Sequence, residues 1–263
     1  MKLGISTATF FGKEVTENTF ELIEALKVSC CEVFLTTFSE YLPSFGNLLK
    51  SKIGDTEVYS IHSLNLNYEP ELLNTIPRTR NDGEAIYRMV LENGQKLNAK
   101  SYTFHGSARL KNRPYIFNYQ TLGSRIDELY SIASEYDIAL SYENVHWAYF
   151  SVPEFFKQLR EFSPRIQCTL DIKQAMQAKL SYEDFLPVMQ GRLNNVHLCD
   201  YDLNGALCAP GKGSVDFYKL FSMLRDIGYD GHLMVELYSQ NYENYSELGD
   251  CIEYLLNILD KIK

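Results

Sequence analysis

Short strand-like runs alternate with helix-like segments along the whole sequence, and this alternation constrains the fold more than any other feature. The strand-like runs are 2–6, 31–36, 58–64, 101–106, 138–143, 166–171, 195–200 and 232–237. Helical spacing of apolar residues marks the segments 19–27, 84–97, 122–136, 152–162, 182–190, 215–228 and 251–262, with a shorter helix near 47–52. Alternating strands and helices pair in parallel through right-handed crossovers, and eight such units close into a barrel. The sequence therefore predicts a (β/α)8 TIM barrel, with a doubly wound sheet as the alternative.

The chain reads as one domain. Its 263 residues contain no proline- or serine-rich linker and no low-complexity tract. Barrels of this class commonly use about 200–250 residues, or slightly more, as one unit. We therefore predict a single domain over residues 1–263. The longest loops, 65–78 and 107–118, follow the third and fourth strands and are expected at the C-terminal rim, where barrels bind substrates.

Charge and composition narrow the expected partners. The chain has 34 acidic and 25 basic residues, a net charge of −9 and no dense lysine or arginine block, which disfavours a nucleic-acid partner. No apolar run approaches the roughly 18 residues that cross a membrane. The N-terminus resembles a first strand more than a signal peptide. We expect a cytoplasmic protein without a membrane partner, and a homo-oligomer is compatible with the sequence.

The cysteine pattern indicates reduced thiols. There are six cysteines, but Cys30 and Cys31 are adjacent and no Cys-x-x-Cys occurs. Neither a zinc knuckle nor a disulfide framework is therefore predicted.

The strand at 138–143 ends on a carboxylate. Because side chains alternate between the two faces of a strand, Leu140 and Tyr142 are expected to face the helices. Ala139, Ser141 and Glu143 are then expected to face the barrel axis. Glu143 is the last residue of this inward row.

The same alternation brings an acidic or histidine side chain to the inward end of six consecutive strands. In the third strand, for example, it predicts Tyr59 and Ile61 outward and His62 inward. The six residues are His62, His105, Glu143, Asp171, His197 and Glu236. Since parallel strands end at one rim, these side chains are expected to lie together there.

Such a group of carboxylates favours a bound cation. A carboxylate among apolar walls costs free energy unless it is paired, protonated or bound to a metal. No lysine or arginine occupies the inward positions of these strands, so a divalent ion is the simplest partner. Oxygen-rich ligands with an imidazole suit Mn²⁺ or Mg²⁺ and tolerate Co²⁺ or Zn²⁺.

Each residue alone has a structural alternative. A lone His62 or His105 is more often a hydrogen-bonded core histidine than a metal ligand. Asp171 or Glu236 could cap a helix or pair with Lys173. These alternatives would have to hold independently on several strands, so we favour the metal for the set.

Further residues are expected at the rim or away from it. Trp147, Tyr201, Phe10 and Phe11 lie in predicted loops where aromatic rings could stack on a sugar or simply pack. His146 is interpreted as a loop histidine that could touch substrate, and His232 as a structural residue at the opposite end of the barrel.

The stretch 210–217 reads as a turn followed by a helix start, with Ser214 as the N-cap. Lys212 and that helix N-terminus form a weak signal for a phosphate site.

The whole chain resembles the xylose isomerase-like barrel superfamily, which holds sugar phosphate isomerases and epimerases together with endonuclease IV-type nucleases. The most specific pieces are "YEN" (142–144), "LDI" (170–172), "VHLCD" (196–200), "PGKGSVDF" (210–217) and "IGYDGHLMVEL" (227–237). The resemblance implies that the metal ligands are Glu143, Asp171, His197 and Glu236.

The nuclease branch of that superfamily binds additional zinc. By this resemblance His62 and His105, with Glu143, match one further metal site. Where that branch has a histidine, this chain has Gln174, and the Asp-x-His before its glycine turn is replaced by a stretch that includes Leu207. Many epimerases of the family also carry histidine at the place of Gln174; a glutamine can still hydrogen-bond a substrate hydroxyl but cannot transfer a proton in the same way.

The function predicted is metal-dependent isomerisation or epimerisation of a keto sugar or related polyol derivative through an enediolate. Glu143 and Glu236 would remove and return the proton, and Gln174, Trp147 and Lys212 are candidate substrate contacts. The nearest alternative is a lyase of the inosose or dehydroshikimate dehydratase type. An abasic-site nuclease and a noncatalytic sugar-binding protein rank below it.

Overall fold

Eight parallel strands close into a barrel in the computed structural model, which describes residues 1–64, 67–109 and 118–262. The strands are β1 (Lys2–Ser6), β2 (Cys30–Leu35), β3 (Glu57–Ser63), β4 (Ser101–Phe104), β5 (Ala139–Glu143), β6 (Gln167–Asp171), β7 (Leu193–Leu198) and β8 (His232–Val235). Each strand pairs with the next along the chain, and β8 closes the barrel on β1, with His232 opposite Lys2. The predicted strands and the TIM barrel are confirmed, and a doubly wound sheet is excluded.

Helices surround the barrel. They are α1 (Thr19–Ala25), α2 (Phe38–Tyr41), α3 (Pro43–Lys52), α4 (Glu69–Leu72), α5 (Pro77–Lys96), α6 (Tyr119–Ser134), α7 (Pro153–Phe162), α8 (Ile172–Gln177), α9 (Tyr182–Met189), α10 (Phe217–Asp226) and α11 (Tyr245–Ile262). The seven predicted helices are present, and the segment near 47–52 is the end of α3.

The helices differ from the predicted boundaries for two reasons. α5 and α11 begin earlier than predicted, because polar residues in their first turns hide the apolar period. The short helices α2, α4 and α8 carry too few residues for a helical period to be recognised. α4 lies within the predicted loop 65–78, whereas residues 65–66 and 110–117 of the two predicted rim loops lie outside the described residues.

The two faces of the strands differ in polarity, in agreement with the predicted alternation. Leu140, Leu170 and Leu233 are fully buried in the hydrophobic core. Burying one such side chain stabilises a fold by about 1.5–3 kcal/mol. On the axis side, the hydroxyl oxygens of Ser141 and Thr169 lie 2.7 Å apart across β5 and β6. A polar interior thus leads upward to the C-terminal rim.

A β-bulge in β3 changes the direction of Tyr59. Cys31 pairs with Val58 and Glu32 pairs with Ser60, so Tyr59 is the extra residue between them. Its hydroxyl donates to the backbone oxygen of Asn194 at 2.8 Å, on a strand across the barrel. The prediction that Tyr59 faces outward is therefore wrong, because the bulge interrupts the alternation on which it rested.

Three further features of the described residues are a short hairpin, free cysteines and helices that are too short or too polar to cross a membrane. A two-stranded hairpin, Asp200–Tyr201 with Leu207–Cys208, follows β7. All six cysteines are free, as predicted. Within the described ranges, no helix combines the length and apolar character that a membrane crossing requires.

Candidate active site

Four buried side chains meet at the C-terminal ends of β5 to β8. Glu143 and Asp171 are the last residues of β5 and β6. His197 is the last but one residue of β7, and Glu236 directly follows β8. Their exposed fractions are 2%, 0%, 1% and 9%. From Nδ1 of His197, the distance is 3.6 Å to Oε1 of Glu143, 3.9 Å to Oδ2 of Asp171 and 3.5 Å to Oε2 of Glu236. The structure thus brings together the four residues predicted as metal ligands.

Three of these four atoms lack a hydrogen bond although they are shielded from solvent. They are Oδ2 of Asp171, Nδ1 of His197 and Oε2 of Glu236. Buried polar atoms are nearly always paired, so the exceptions require a partner. Ligand atoms about 2.1 Å from one tetrahedral ion would lie about 3.4 Å apart, close to the separations found here. The donor set therefore fits a divalent ion.

Glu32, on β2, orients the imidazole of His197. Its Oε1 lies 3.0 Å from Nε2 of His197, which leaves Nδ1 directed at the three carboxylates. The carboxylate is fully buried, and burial alone would raise its pKa. His197 and His62 outweigh that effect and hold the pKa of Glu32 well below its usual range. Sequence reasoning missed Glu32, although a single glutamate in an apolar strand was a signal for it.

His62 and His105 are each paired with a carboxylate. Nδ1 of His62 lies 2.7 Å from Oε1 of Glu32, and Nε2 of His105 lies 2.9 Å from Oε2 of Glu143. Burial disfavours the charged form of His105, but its bond to Glu143 and the nearby carboxylates raise its pKa to about 9. Ligand atoms of Glu32, His62 and Glu236 form a second metal-type group, within 4.8 Å of one another. The further metal site that was predicted from His62, His105 and Glu143 stays a prediction.

Glu69 holds the loop that carries His105 and was not found from the sequence. Its Oε2 accepts from the backbone N–H groups of His105 and Gly106 at 2.8 Å each. Its Oε1 accepts from the hydroxyl of Tyr102 at 2.6 Å. Burial raises the pKa of Glu69, although these contacts and His105 oppose the shift.

Lys173, on α8, reaches the same carboxylates from outside the strands. Its Nζ lies 3.0 Å from Oε1 of Glu236 and 3.3 Å from Oδ2 of Asp171, and the side chain is 2% exposed. Burial alone would lower the pKa of Lys173, but Asp171 and Glu236 raise it well above its usual value. The inward strand positions carry no lysine, as the sequence indicated, yet a lysine from the following helix still enters the site.

The helix cap and the lysine pair that were considered as alternatives for Asp171 and Glu236 are both present, and each residue keeps one oxygen without a hydrogen bond. Oδ1 of Asp171 accepts from the backbone N–H of Gln174 at 3.0 Å and caps α8. Lys173 hydrogen-bonds Oε1 of Glu236, so Oε2 stays free. Burial raises the pKa of Asp171 to about 7, with Lys173 opposing the shift and Glu143 reinforcing it. Glu143 and Asp171 therefore disfavour each other's ionised form, and a divalent ion between them would relieve that repulsion.

A cavity of about 340 Å³ opens directly above these groups. Its polar wall contains Glu143, Lys173, Gln174 and Glu236, together with His62 and His105. Its apolar wall contains Phe11, Phe34, Trp147, Tyr238 and aliphatic residues. Of the rim aromatics proposed from the sequence, Phe11 and Trp147 line the cavity, whereas Phe10 is buried in the core. The volume lies in the range of small-molecule sites.

Gln174 lines this cavity, and its amide oxygen is engaged by His146. Its Oε1 accepts from the backbone N–H of His146 at 3.1 Å and lies 2.5 Å from Nδ1 of that ring. With the oxygen engaged by His146, the NH₂ group is the part left for a ligand. His146 itself is not among the residues that line the cavity.

The backbone N–H groups of the turn at 210–217 donate to the carboxylate of Asp200. This carboxylate accepts from the backbone N–H groups of Gly211, Gly213 and Val215, each at 3.0 Å. These are the donors that a phosphate would need, and the exposed Lys212 does not line the cavity.

The N-cap of α10 is Asp216, whose carboxylate accepts from Lys219 N–H at 2.9 Å. The predicted Ser214 cap is therefore wrong; that hydroxyl donates to the Tyr201 backbone oxygen. The helix begins two residues later than the sequence suggested.

Comparison with known proteins agrees with this architecture. A family model described as a xylose isomerase-like TIM barrel matches residues 20–258. Among curated proteins, none matches the sequence significantly.

Solved structures with the same fold include two whose names refer to sugar 3-epimerases and one that contains zinc. A D-tagatose 3-epimerase-like protein has 20% identity and a TM-score of 0.79, over 100% of this chain and 98% of that chain. D-psicose 3-epimerase from Clostridium cellulolyticum H10, solved with D-tagatose, has 16% identity and a TM-score of 0.78, over 98% and 99%. The IOLI protein with a bound zinc atom has 15% identity and a TM-score of 0.75, over 100% and 98%. At these identities the likeness establishes the fold.

Proposed function

Because this chain belongs to the xylose isomerase-like TIM barrel family, we propose that it is a divalent-metal-dependent isomerase or epimerase of a keto sugar or related polyol derivative. The observation that carries the proposal is the set of buried atoms without hydrogen bonds around Nδ1 of His197. They adjoin a cavity of small-molecule size. The named activities of two similar structures, both sugar 3-epimerases or like them, and the zinc atom of a third point the same way.

Glu143, Asp171, His197 and Glu236 would hold the ion. When bound, a divalent ion polarises a carbonyl and a neighbouring hydroxyl, so that the negative charge formed on loss of the α-proton costs less free energy. The favoured ions are Mn²⁺ and Mg²⁺, with Zn²⁺ and Co²⁺ as alternatives.

Glu143 and Glu236 are the proposed acid–base pair. They approach Nδ1 of His197 from different strands, at 3.6 Å and 3.5 Å. One carboxylate removes the α-proton of the substrate and the other returns a proton to the enediolate. Return to the opposite face of the same carbon gives epimerisation, and return to the neighbouring carbon gives isomerisation.

Lys173 and Gln174 would bind and orient the substrate. Lys173 lies at the cavity wall with its Nζ 4.7 Å from the ring centre of Tyr238. Its ammonium hydrogens can stabilise an oxygen on which charge develops, and the NH₂ group of Gln174 can bind a hydroxyl. Trp147, whose ring centre is 6.1 Å from that of His105, offers an apolar face to sugar C–H groups.

Lys173 also supports the lyase as a second candidate. An ammonium group beside the cavity can hydrogen-bond a departing hydroxyl oxygen, and the carboxyl group that took the first proton can protonate it. Dehydration would begin with the same proton removal and then release water. The two candidates differ in product, so one assay distinguishes them.

The test is turnover of a panel of unphosphorylated and phosphorylated ketoses and inososes in D₂O, with Mn²⁺ added to metal-free protein. Deuterium is expected at the carbon next to the carbonyl, in an epimer or isomer; a dehydrated product would select the lyase. Glu143→Gln and Glu236→Gln should each suppress turnover, because an amide cannot exchange the proton. Glu24→Gln, at an exposed position on α1, is the matched control.

Metal content must be measured for every variant, because loss of a carboxylate also weakens ion binding. The decisive result is a variant that keeps its ion and loses turnover. Near-wild-type activity in both metal-loaded glutamine variants would remove these residues from the mechanism. Failure of wild-type protein to bind any divalent ion would exclude the metal-dependent reaction altogether.

A further inference from the structure

The N-terminal end of the barrel carries a third group of metal-type side chains, at the opposite end from the rim. Cys30, Glu57 and His232 are the first residues of β2, β3 and β8. One ligand atom from each lies within 4.8 Å of the other two. We call these three residues the floor cluster. It shares no residue with the site at the rim.

His232 supplies an imidazole without a hydrogen-bonding partner. Both ring nitrogens are shielded from solvent and neither forms a hydrogen bond. Tyr59 stacks on the ring, with centres 3.6 Å apart and planes at 17°. The hydroxyl of Tyr229 donates to the backbone oxygen of His232 at 2.6 Å. The ring is thus held in place while its nitrogens remain available.

Glu57 turns one carboxylate oxygen toward that imidazole. Its Oε1 lies 3.3 Å from Nε2 of His232, and its Oε2 is bonded to the ammonium group of Lys2. Because the lysine occupies the other oxygen, Oε1 can bind an ion without displacing Lys2.

Cys30 contributes a thiol that has no structural role in a disulfide. It is free and fully buried. The neighbouring Cys31 packs into the hydrophobic core between strands and helices. Adjacent residues on a strand point to opposite faces, so Cys30 faces the barrel end and Cys31 does not.

We propose that the floor cluster binds a zinc-type ion through Sγ of Cys30, Oε1 of Glu57 and a ring nitrogen of His232. Thiolate, carboxylate and imidazole are the protein ligands that Zn²⁺ takes, and water completes four-coordination. On a tetrahedral ion, nitrogen and oxygen ligands at about 2.0–2.2 Å lie about 3.4 Å apart, close to the 3.3 Å between His232 and Glu57. The ion would join β8 to β2 and β3 across β1, where the barrel closes.

Cobalt(II) titration of metal-free protein tests this site separately from the rim. Only a thiolate ligand gives cobalt its near-ultraviolet charge-transfer band, and the proposed rim ligands include no cysteine. Wild-type protein should develop the band, and Cys30→Ser and His232→Gln should lose it. Cys31→Ser is the matched control and should keep it. Asp171→Asn, which removes a rim ligand, should keep it as well, so failure of the rim proposal and failure of this one are distinguishable.

Circular dichroism establishes that each variant is folded, and His232→Gln decides the matter if Cys30→Ser does not fold. In the Asp171→Asn background, Zn²⁺ should raise Tm, because an ion that binds only the folded state stabilises it. That rise should disappear when Cys30→Ser is added. A folded wild-type protein without the band, or a band that persists in both Cys30→Ser and His232→Gln, would overturn the proposal.

Discussion

Replacing Glu32 by glutamine should destabilise the barrel strongly, because every oxygen lone pair of this buried carboxylate is engaged. Oε2 accepts from Ser60, Thr103 and Asn195 at 2.6, 2.8 and 3.0 Å. Oε1 lies 2.7 Å from His62 and 3.0 Å from His197. Glutamine has nearly the same shape, but its NH₂ group must face donors on one side or the other.

The magnitude follows from these contacts. An unsatisfied buried donor costs about 1–3 kcal/mol, and breaking a buried charged network costs about 3–5 kcal/mol. We expect a loss of about 3–5 kcal/mol for Glu32→Gln. For a chain of this size, about 2 °C of Tm corresponds to each kcal/mol, so Tm should fall by about 6–10 °C.

The assay is thermal unfolding of metal-free protein followed by circular dichroism, with Glu24→Gln as the exposed control. Metal-free protein is essential, because altered ion affinity would otherwise shift Tm by mass action. A Tm within about 2 °C of wild type would refute the reasoning, since the carboxylate could not then be a fully engaged buried partner.

Three further outcomes are expected. Lys173→Met should retain divalent-ion binding in calorimetry but lower kcat by at least about 10²-fold, as for loss of a donor that stabilises developing negative charge. An unchanged kcat would remove Lys173 from the reaction. Incision of an abasic duplex should be absent in a gel assay with an active nuclease as control, since Gln174 and Leu207 stand where that branch has metal ligands; robust zinc-dependent incision would reverse this ranking. Gly123→Ala should lower Tm by a few degrees, because an added Cβ would lie 2.4 Å from Cβ of Phe162 and overpacking costs about 1–3 kcal/mol; Gly249→Ala, whose Cβ meets nothing closer than 3.8 Å, should not.

The barrel could be predicted because strand and helix periods alternate along the whole sequence. The rim residues could be predicted because the alternation of side chains between the two faces of a strand depends only on residues within that strand. Glu143 and Asp171 end their strands, so counting by twos was sufficient to place them together. His197 was found in the same way, although its partner Glu32 was not. Glu32 lies in the middle of β2, and nothing local in the sequence connects it to β7.

Residues outside the strands were harder to predict. Lys173 enters the site because α8 starts directly after Asp171 and turns the lysine back over the barrel, a path that a strand period does not describe. Glu69 lies in a rim segment where an acidic residue reads as ordinary surface. Tyr59 was assigned to the wrong face, since a bulge is visible only in the pairing of two strands.

The extra residue at Tyr59 lets β3 turn a side chain toward the barrel axis at both of its ends. Glu57 and His62 are separated by an odd number of positions, yet one contributes to the lower end of the barrel and the other to the rim. A strand of strict alternation could not turn both inward. Deleting the bulged residue, Tyr59, would leave Glu57 and His62 four positions apart on a regular strand, with Glu57 still paired to Cys30 and His62 still in register with Thr103 of β4. The lower end of the barrel would lose only the aromatic ring that stacks on His232, so a one-residue deletion at this point would change the floor cluster without moving the rim.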